Sequence, residues 1–351
     1  MLTLTKASLE TKQILKWGGL FLGSVFMILV LIRIAIIVRD IVAPPPPPPP
    51  TEAFGKLPPQ AFPQNATDMN LSYSINTVTG SLPANFPTQA KVYRIQLNQP
   101  DLLGADKFDK KAQSIGFGMG YTAISDKIFE WKSSTYNIGI PKVLDANITN
   151  GDFTISSAYL TDQNIINANN LPDQAHAIAM AQKMLSSMNI LSDDLDMNKT
   201  KTNLWSITNG ALSPASSLSV AQIVEVDFVQ KDVDKLPIFY DKPNASNMSI
   251  LISGGQAPQI VAANFVHQAI SDQFATYPLK PVSQAYDILT QGGGYIASYT
   301  GSSPIVQITD VVLGYYMSGQ PQDFLMPVYI FEGTDNFYAY VPALTDVSIN
   351  K

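Results

Sequence analysis

The sequence predicts an α+β protein carried on a single membrane helix, and three observations lead there. An apolar run of 22 residues lies near the N-terminus, seven consecutive prolines follow it, and the remainder alternates short strand-like segments with two proline-started helices. Charged residues make up only 14% of the chain, against roughly 25% in an ordinary soluble domain. The polar surface must then come mostly from Asn, Gln, Ser and Thr, which favours strands, turns and hydrogen-bonding loops over charged helical faces.

The run from Trp17 to Val38, WGGLFLGSVFMILVLIRIAIIV, is interrupted only by Arg33. At about 1.5 Å per residue it spans roughly 33 Å, enough to cross a hydrocarbon core of about 30 Å. Core helices rarely stay apolar on every face over such a length and then meet a proline tract, so the segment reads as a membrane span. Arg33 lies near its end, where a long stem carries the charge to the headgroups. The stretch is too long for the apolar region of a signal peptide, and no small-residue cleavage site follows it. Lys6, Lys12 and Lys16 precede the span while Arg33 and Arg39 sit at its far end. That balance favours a cytoplasmic N-terminus and an extracytoplasmic remainder anchored in the cell membrane. Gly18, Gly19, Gly23 and Ser24 give the helix a face of small residues on which a second helix can pack.

Pro44–Pro50 is expected to form a polyproline II rod of roughly 22 Å. Pro58, Pro59 and Pro63 extend the irregular stretch to residue 68. Directly after a membrane span, such a rod suits a stand-off spacer better than a ligand for a proline-recognition domain.

From Leu71 the segments SYSIN, KVYRIQL and KIFEW carry the alternating, β-branched and aromatic residues of strands. Asn150-Gly151 joins NIT to DFTIS as a hairpin turn. Pro172 opens a helix to about Leu191, with Ile178, Ala181, Leu185 and Met188 on one face. The strands LWSIT, SVAQIVEVDFVQ and LPIFY follow. A second round pairs NMSILIS with QIVAANFVHQAI across Gly254-Gly255. Pro281 then starts the helix VSQAYDILTQ, stopped by Gly292–Gly294, and three strands close the chain. The two rounds share an order of hairpin, helix and strands, which suggests a duplicated unit of one helix on a curled antiparallel sheet. The expected organisation is a stub (1–16), a membrane helix (17–38), a proline-rich linker (39–68), a β-rich domain with one helix (69–240) and a C-terminal α+β module (245–345).

The net charge of −6, with no basic block outside the membrane-proximal region, argues against nucleic-acid binding. The absence of cysteine excludes disulfides, thiol catalysis and thiolate-held metals. No cofactor motif occurs. Gly116-Phe117-Gly118-Met119-Gly120 lacks the spacing of a phosphate loop and reads as a turn. Asp194, Asp196 and Asn198 begin like a calcium loop, but Lys199 and Trp205 occupy the positions that need Gly and Glu. His176 reads as a residue of the helix surface and His267 as one on the polar face of a strand. Glu225 and Asp227 share a strand face by period two and could form an acid/base pair, although a solvated strand face accounts for them as well. In the last three strands Tyr315, Tyr316, Tyr329, Phe331, Phe337, Tyr338 and Tyr340 concentrate. Core packing explains part of the set; outward-facing members, drawn from Tyr315, Tyr316, Tyr329, Phe331, Tyr338 and Tyr340, would make a partner-binding surface.

Ser283–Leu289, the glycines to Gly294, Ile308–Tyr316 and Pro327–Tyr329 resemble the closing module of the YycH/YycI regulatory proteins. The arrangement is also similar to PepSY-like and cystatin-like units, in which a helix packs on an antiparallel sheet. The resemblance covers about residues 245–345. It implies one N-terminal membrane helix, an extracytoplasmic α+β domain, and a non-enzymatic role in contacting and restraining a membrane sensor kinase. The leading expectation is therefore a membrane-anchored binding, scaffold or regulatory protein whose partner is another membrane or envelope protein. The alternatives are a carboxylate-based hydrolase of the cell envelope and a ligand-binding sensor domain.

Overall fold

The computed structural model describes residues 4–42, 48–96, 98, 101–133 and 139–350. They belong to two compact units, Met1–Pro49 and Pro50–Lys351. The first is a single helix, α1 (Leu4–Val42). Within Leu15–Arg39 the most apolar 18-residue window has a mean hydropathy of 2.8, and none of its apolar side chains is buried against protein. Such a helix leaves every face to a non-aqueous phase or to other helices, which is compatible with a single membrane span. Of the proline run, Pro44–Pro47 lies outside the described residues.

The second unit starts its regular structure with β1 (Ser72–Ile75), β2 (Gln89–Ile95) and α2 (Gly104–Ser114). Next come β3 (Thr122–Ala123), β4 (Ile128–Lys132), β5 (Lys142–Asn147), β6 (Phe153–Ser157), the one-turn α3 (Gln163–Ile166) and α4 (Gln174–Ser187). The middle holds β7 (Lys201–Thr208), β8 (Ala211–Pro214), β9 (Ile223–Phe228), β10 (Ile238–Phe239), β11 (Met248–Ser253), β12 (Gln259–Phe265) and β13 (Ile270–Pro278). Then α5 (Val282–Thr290), β14 (Tyr295–Ser298), β15 (Ile305–Tyr316), β16 (Phe324–Gly333) and β17 (Phe337–Pro342) complete it.

Among the described residues these strands make two large sheets, so the unit is mixed α+β. The first is antiparallel throughout, in the order β3-β4-β5-β6-β12-β11-β9-β7-β8. The second runs β1-β15-β16-β17-β14; β10 also pairs with β15, and β2 pairs with both β16 and β13. The expected boundary near residues 240–245 is absent. β1, β2 and β10 lie in the sheet of the C-terminal strands, whereas β11 and β12 lie in the other, so the two halves of the chain interleave.

Local signals account for several elements. Gly151, at φ +82°, makes the turn that pairs β5 with β6. The Asp173 carboxylate accepts from the backbone N–H of His176 at 2.9 Å and caps α4. The His176 ring bonds the same carboxylate and stays exposed. By contrast, α2 lies in a stretch that reads as strands; Ala105, Phe108 and Ala112 form its buried stripe.

α2 and α4 cover one face of the nine-stranded sheet. Phe108 packs on Trp131 at 5.2 Å between ring centroids, and Ala181, Met184 and Leu185 share a core with Val224, Val226, Ile250 and Ile252. α5 covers one face of the other sheet, with Ala285 and Leu289 in a core shared with Ala339 and Val341. The opposite face of that sheet is also closed, by Phe62 and Phe239 against Tyr316, Val328, Ile330 and Tyr340. The anticipated outward aromatic surface is therefore corrected. Tyr315, Tyr316, Tyr329, Phe331 and Tyr340 are fully buried and only Tyr338 is half-buried, because a sheet covered on both sides sends neither alternate set to solvent.

The linker expectation changes too. From Thr51 onward the chain is docked on the second sheet. Thr51 and Thr276 exchange backbone-to-hydroxyl bonds of 2.8 and 3.0 Å. Leu57 is buried, its N–H donates to the Ser348 carbonyl at 2.9 Å, and its carbonyl accepts from Asn350 at 2.8 Å. Phe62 lies 5.4 Å from the Tyr295 ring and 4.8 Å from that of Tyr316. Ala66 N–H donates to Ile296 at 2.8 Å. Residues 51–66 thus belong to the domain rather than to a spacer, because their apolar side chains fill gaps that the sheet leaves open. Leu57→Ala should cost about 2–5 kcal/mol in urea unfolding, with proteolytic cleavage appearing within residues 51–66 before the rest of the domain is cut.

Candidate functional site

Two clusters of ionisable groups stand out, one of them visible in the sequence. Glu225 and Asp227 lie side by side on β9, between β7 and β11. The Asn203 side-chain amide, opposite Glu225 on β7, donates to Asp227 Oδ2 at 2.9 Å and to Glu225 Oε2 at 3.4 Å. Trp205 Nε1 donates to the same Glu225 oxygen at 2.8 Å. Asp227 is only 2% exposed, and its Oδ1 has no hydrogen-bond partner among the described residues. Burial, and then the neighbouring Glu225 charge, push its pKa up to about 7; Lys201 and Asn203 pull the other way without prevailing. The expectation of a solvated strand face thus fails at Asp227: Val226 and Phe228 turn into the helix-covered core, and the cross-strand neighbours close over the carboxyl. A carboxyl held near neutrality beside a second carboxylate is the electrostatic pattern of an acid/base pair. A general acid must also reach its substrate, and burial of Asp227 withholds it from anything larger than a proton.

The second cluster forms where the chain passes from one sheet to the other. Between the end of β12 and the start of β13 lie only residues 266–269, and His267 sits on this crossover, off the strand face expected for it. Its Nε2 lies 2.8 and 3.0 Å from the two oxygens of Asp194, and its backbone N–H donates to Asp152 Oδ1 at 3.1 Å. Gln230 Nε2 donates to Asp194 at 2.9 Å and to the Gln268 carbonyl at 3.1 Å. The buried Gln268 in turn donates to Ser318 and Gln320 carbonyls at 2.7 and 3.1 Å. Burial alone would raise the pKa of Asp194, but bonds from His267, Ser192 and Gln230 hold it down to about 2. Asp152 moves oppositely, to about 6, because burial outweighs its bonds from His267 and Asn150.

A hollow of about 270 Å³ adjoins the crossover, with Lys127, Thr149, Asn150 and His267 on its wall. The Asp194–His267 pair resembles the base half of a nucleophilic triad. Among the described residues, however, no hydroxyl is bonded to the ring, and no group of three metal-binding side chains assembles. What the cluster does is join the two sheets. Sequence reading missed it because Asp152, Asp194 and His267 are far apart along the chain; the calcium-loop test singled out Asp194 for a different reason. The small residues of the membrane helix lie open: a Cβ at Gly18, Gly19 or Gly23 would meet nothing within 4 Å, and Ser24 Oγ donates to its own helix at the Phe21 carbonyl.

Asp227 binds more protons folded than unfolded between its ordinary value near 3.8 and about 7. Its contribution to stability is therefore complete below the lower pH and is lost as pH rises through the upper one. Asp227→Asn should remove that loss. Relative to the unaltered protein, the variant should gain roughly 3–4 kcal/mol in urea stability between pH 4 and pH 8. His267→Ala should lower stability at pH 7 by about 1–3 kcal/mol by leaving the half-exposed Asp194 short of a donor.

No family model matches the chain, and no curated protein matches it. Among solved structures the chain is similar to an uncharacterized protein from Eubacterium rectale, at 12% identity and a TM-score of 0.39, over 80% of this chain and 90% of that one.

Proposed function

We propose that this chain is a single-pass membrane protein whose extracytoplasmic domain contacts and regulates a second protein of the envelope, without catalysing a reaction. The observation that carries this reading is a helix whose apolar faces are all unclaimed by the chain itself. It leads, through prolines, into a segment stitched to the domain at Thr51, Leu57 and Phe62. The charges flanking the span orient the N-terminus to the cytoplasm. The open glycine face on α1 offers a close-packing site to a partner helix. The packing of α5 across the sheet of β15–β17 supports the likeness to YycH/YycI and to PepSY-like units, and with it a membrane sensor as partner. The raised pKa of Asp227 favours a carboxylate hydrolase as the second reading, and its burial weighs against that.

The test uses the full-length chain in its own membranes, with a photoreactive residue in place of Leu22. One adduct of discrete size with a membrane protein is expected. Replacing Gly19 and Gly23 together by leucine should reduce it by about tenfold, and so should exchanging Pro44–Pro50 for an equal length of Gly and Ser. The reading is abandoned if no discrete adduct forms, or if both replacements leave the yield unchanged.

A further inference from the structure

Beneath the docked segment lies a cavity of about 400 Å³. Pro59 and Gln60 roof it, Met326 of β16 and Ile288 of α5 line it, and Leu344 and Ile349 close it. This wall is mostly apolar, with Gln60 and the ion pair of Lys280 and Asp346 as its polar members. Lys280, in the turn between β13 and α5, has a side chain only 4% exposed, and its Nζ lies 3.0 Å from Asp346 Oδ1. Its backbone is held at both ends: the N–H donates to the Ala343 carbonyl at 2.8 Å, and the carbonyl accepts from the Tyr329 hydroxyl at 2.9 Å. The fold thus fixes the backbone of Lys280, and burial together with the Asp346 bond places its ammonium.

An ammonium carries three donors. Among the described residues Asp346 is the only group bonded to this one, and the Asp346 side chain is 70% exposed. Lys280 thus combines the desolvation of a buried charge with a counter-ion that is itself mostly solvated. A cavity of this size, mostly apolar with a few polar groups gathered at Lys280 and Asp346, matches the make-up of small-molecule sites.

We propose that the cavity binds an amphiphile with one carboxylate and a medium-length aliphatic tail, the tail occupying the space under Pro59 and Gln60 and the carboxylate bonding Lys280. A carboxylate fits better than a phosphate, because the Asp346 charge beside the ammonium repels a dianion more than a monoanion. The volume accommodates one aliphatic tail. This site is independent of the protein partner proposed above, so either reading can fail without the other.

The full-length protein, in nanodiscs of phosphatidylcholine, is titrated with carboxyl-labelled decanoate and with decanol, and binding to empty discs is subtracted. Saturable decanoate binding is expected, at least about tenfold tighter than that of decanol. Lys280→Met should bring decanoate down to the affinity of decanol. Asp346→Asn, which removes the competing carboxylate, should tighten decanoate several-fold and leave decanol unchanged. Met326→Trp should weaken both by filling the cavity. If Lys280→Met fails to fold by circular dichroism, the decanoate-to-decanol ratio and the Asp346→Asn effect still decide. The proposal falls if decanoate binds no better than to empty discs, if the two probes bind equally, or if Asp346→Asn leaves decanoate affinity unchanged. It also falls if added phosphatidylglycerol displaces decanoate, since the ligand would then be a lipid headgroup.

Discussion

The β15–β16 ladder is the constraint from which the second sheet takes its form. These strands have 12 and 10 residues and stay paired from Ile308 opposite Gly333 to Tyr316 opposite Met326. An average strand has about 5–6 residues, so each long strand outlasts its outer neighbour and takes a second one. β15 pairs with β1 at Ile305–Ile308 and with β10 at Tyr315–Tyr316. β16 pairs with β17 from Val328 to Gly333 and with β2 at Phe324–Leu325. The forked edge lets β2 bring β13 into the sheet, and β13 follows directly from β12 of the other sheet.

That connection leaves few residues for a change of sheet, and each must find hydrogen-bond partners away from either ladder. Val266 N–H donates to the Asn247 carbonyl and His267 N–H to Asp152, while the Gln268 carbonyl accepts from Gln230 and the Ala269 carbonyl from Gln96. The polar cluster around His267 is thus first a consequence of topology. It satisfies a backbone that crosses a gap between two cores; partial closure of that gap to water raises the pKa of Asp152, while the bonds gathered there hold that of Asp194 low.

Local elements were legible in the sequence where one short-range signal decides them. The Asn150-Gly151 hairpin, the start of α5 at Pro281 and the pairing of β11 with β12 all follow from neighbouring residues. α2 could have been read from Ala105, Phe108 and Ala112, but Asp106, Lys107, Asp109, Lys110 and Lys111 dilute its apolar signal to a narrow stripe. The exchange of strands between sheets was not legible, since β1 meets β15 across more than two hundred residues and no local pattern encodes that pairing. The aromatic face was misread for a related reason: alternation marks the two sides of a strand but not whether both are covered, and here Phe62, from a segment that reads as linker, covers the second. At the candidate site Glu225 and Asp227 were visible as a pair. The burial that changes Asp227 depends on β7 and β11, which local spacing does not reveal.

The low charge of the chain bears on how its interior carboxylates are held. The polar groups that reach inward beside them are largely amides: Asn203 between Glu225 and Asp227, Gln230 between Asp194 and the crossover, Gln268 under the loop at Ser318–Gln322. An amide donates and accepts without charge, so burying it costs far less than burying an ion. It helps to stabilise one carboxylate, as at Asp194, where His267, Ser192 and the Gln230 amide act together. It does not suffice for two adjacent carboxylates that share a single Asn203 donor, because their mutual repulsion adds to the burial of the inner one. Lys201 stands opposite Asp227, yet its attraction does not outweigh burial. The remaining imbalance is removed by the proton that Asp227 retains up to about pH 7, which does here what a buried cation would do in a more highly charged protein.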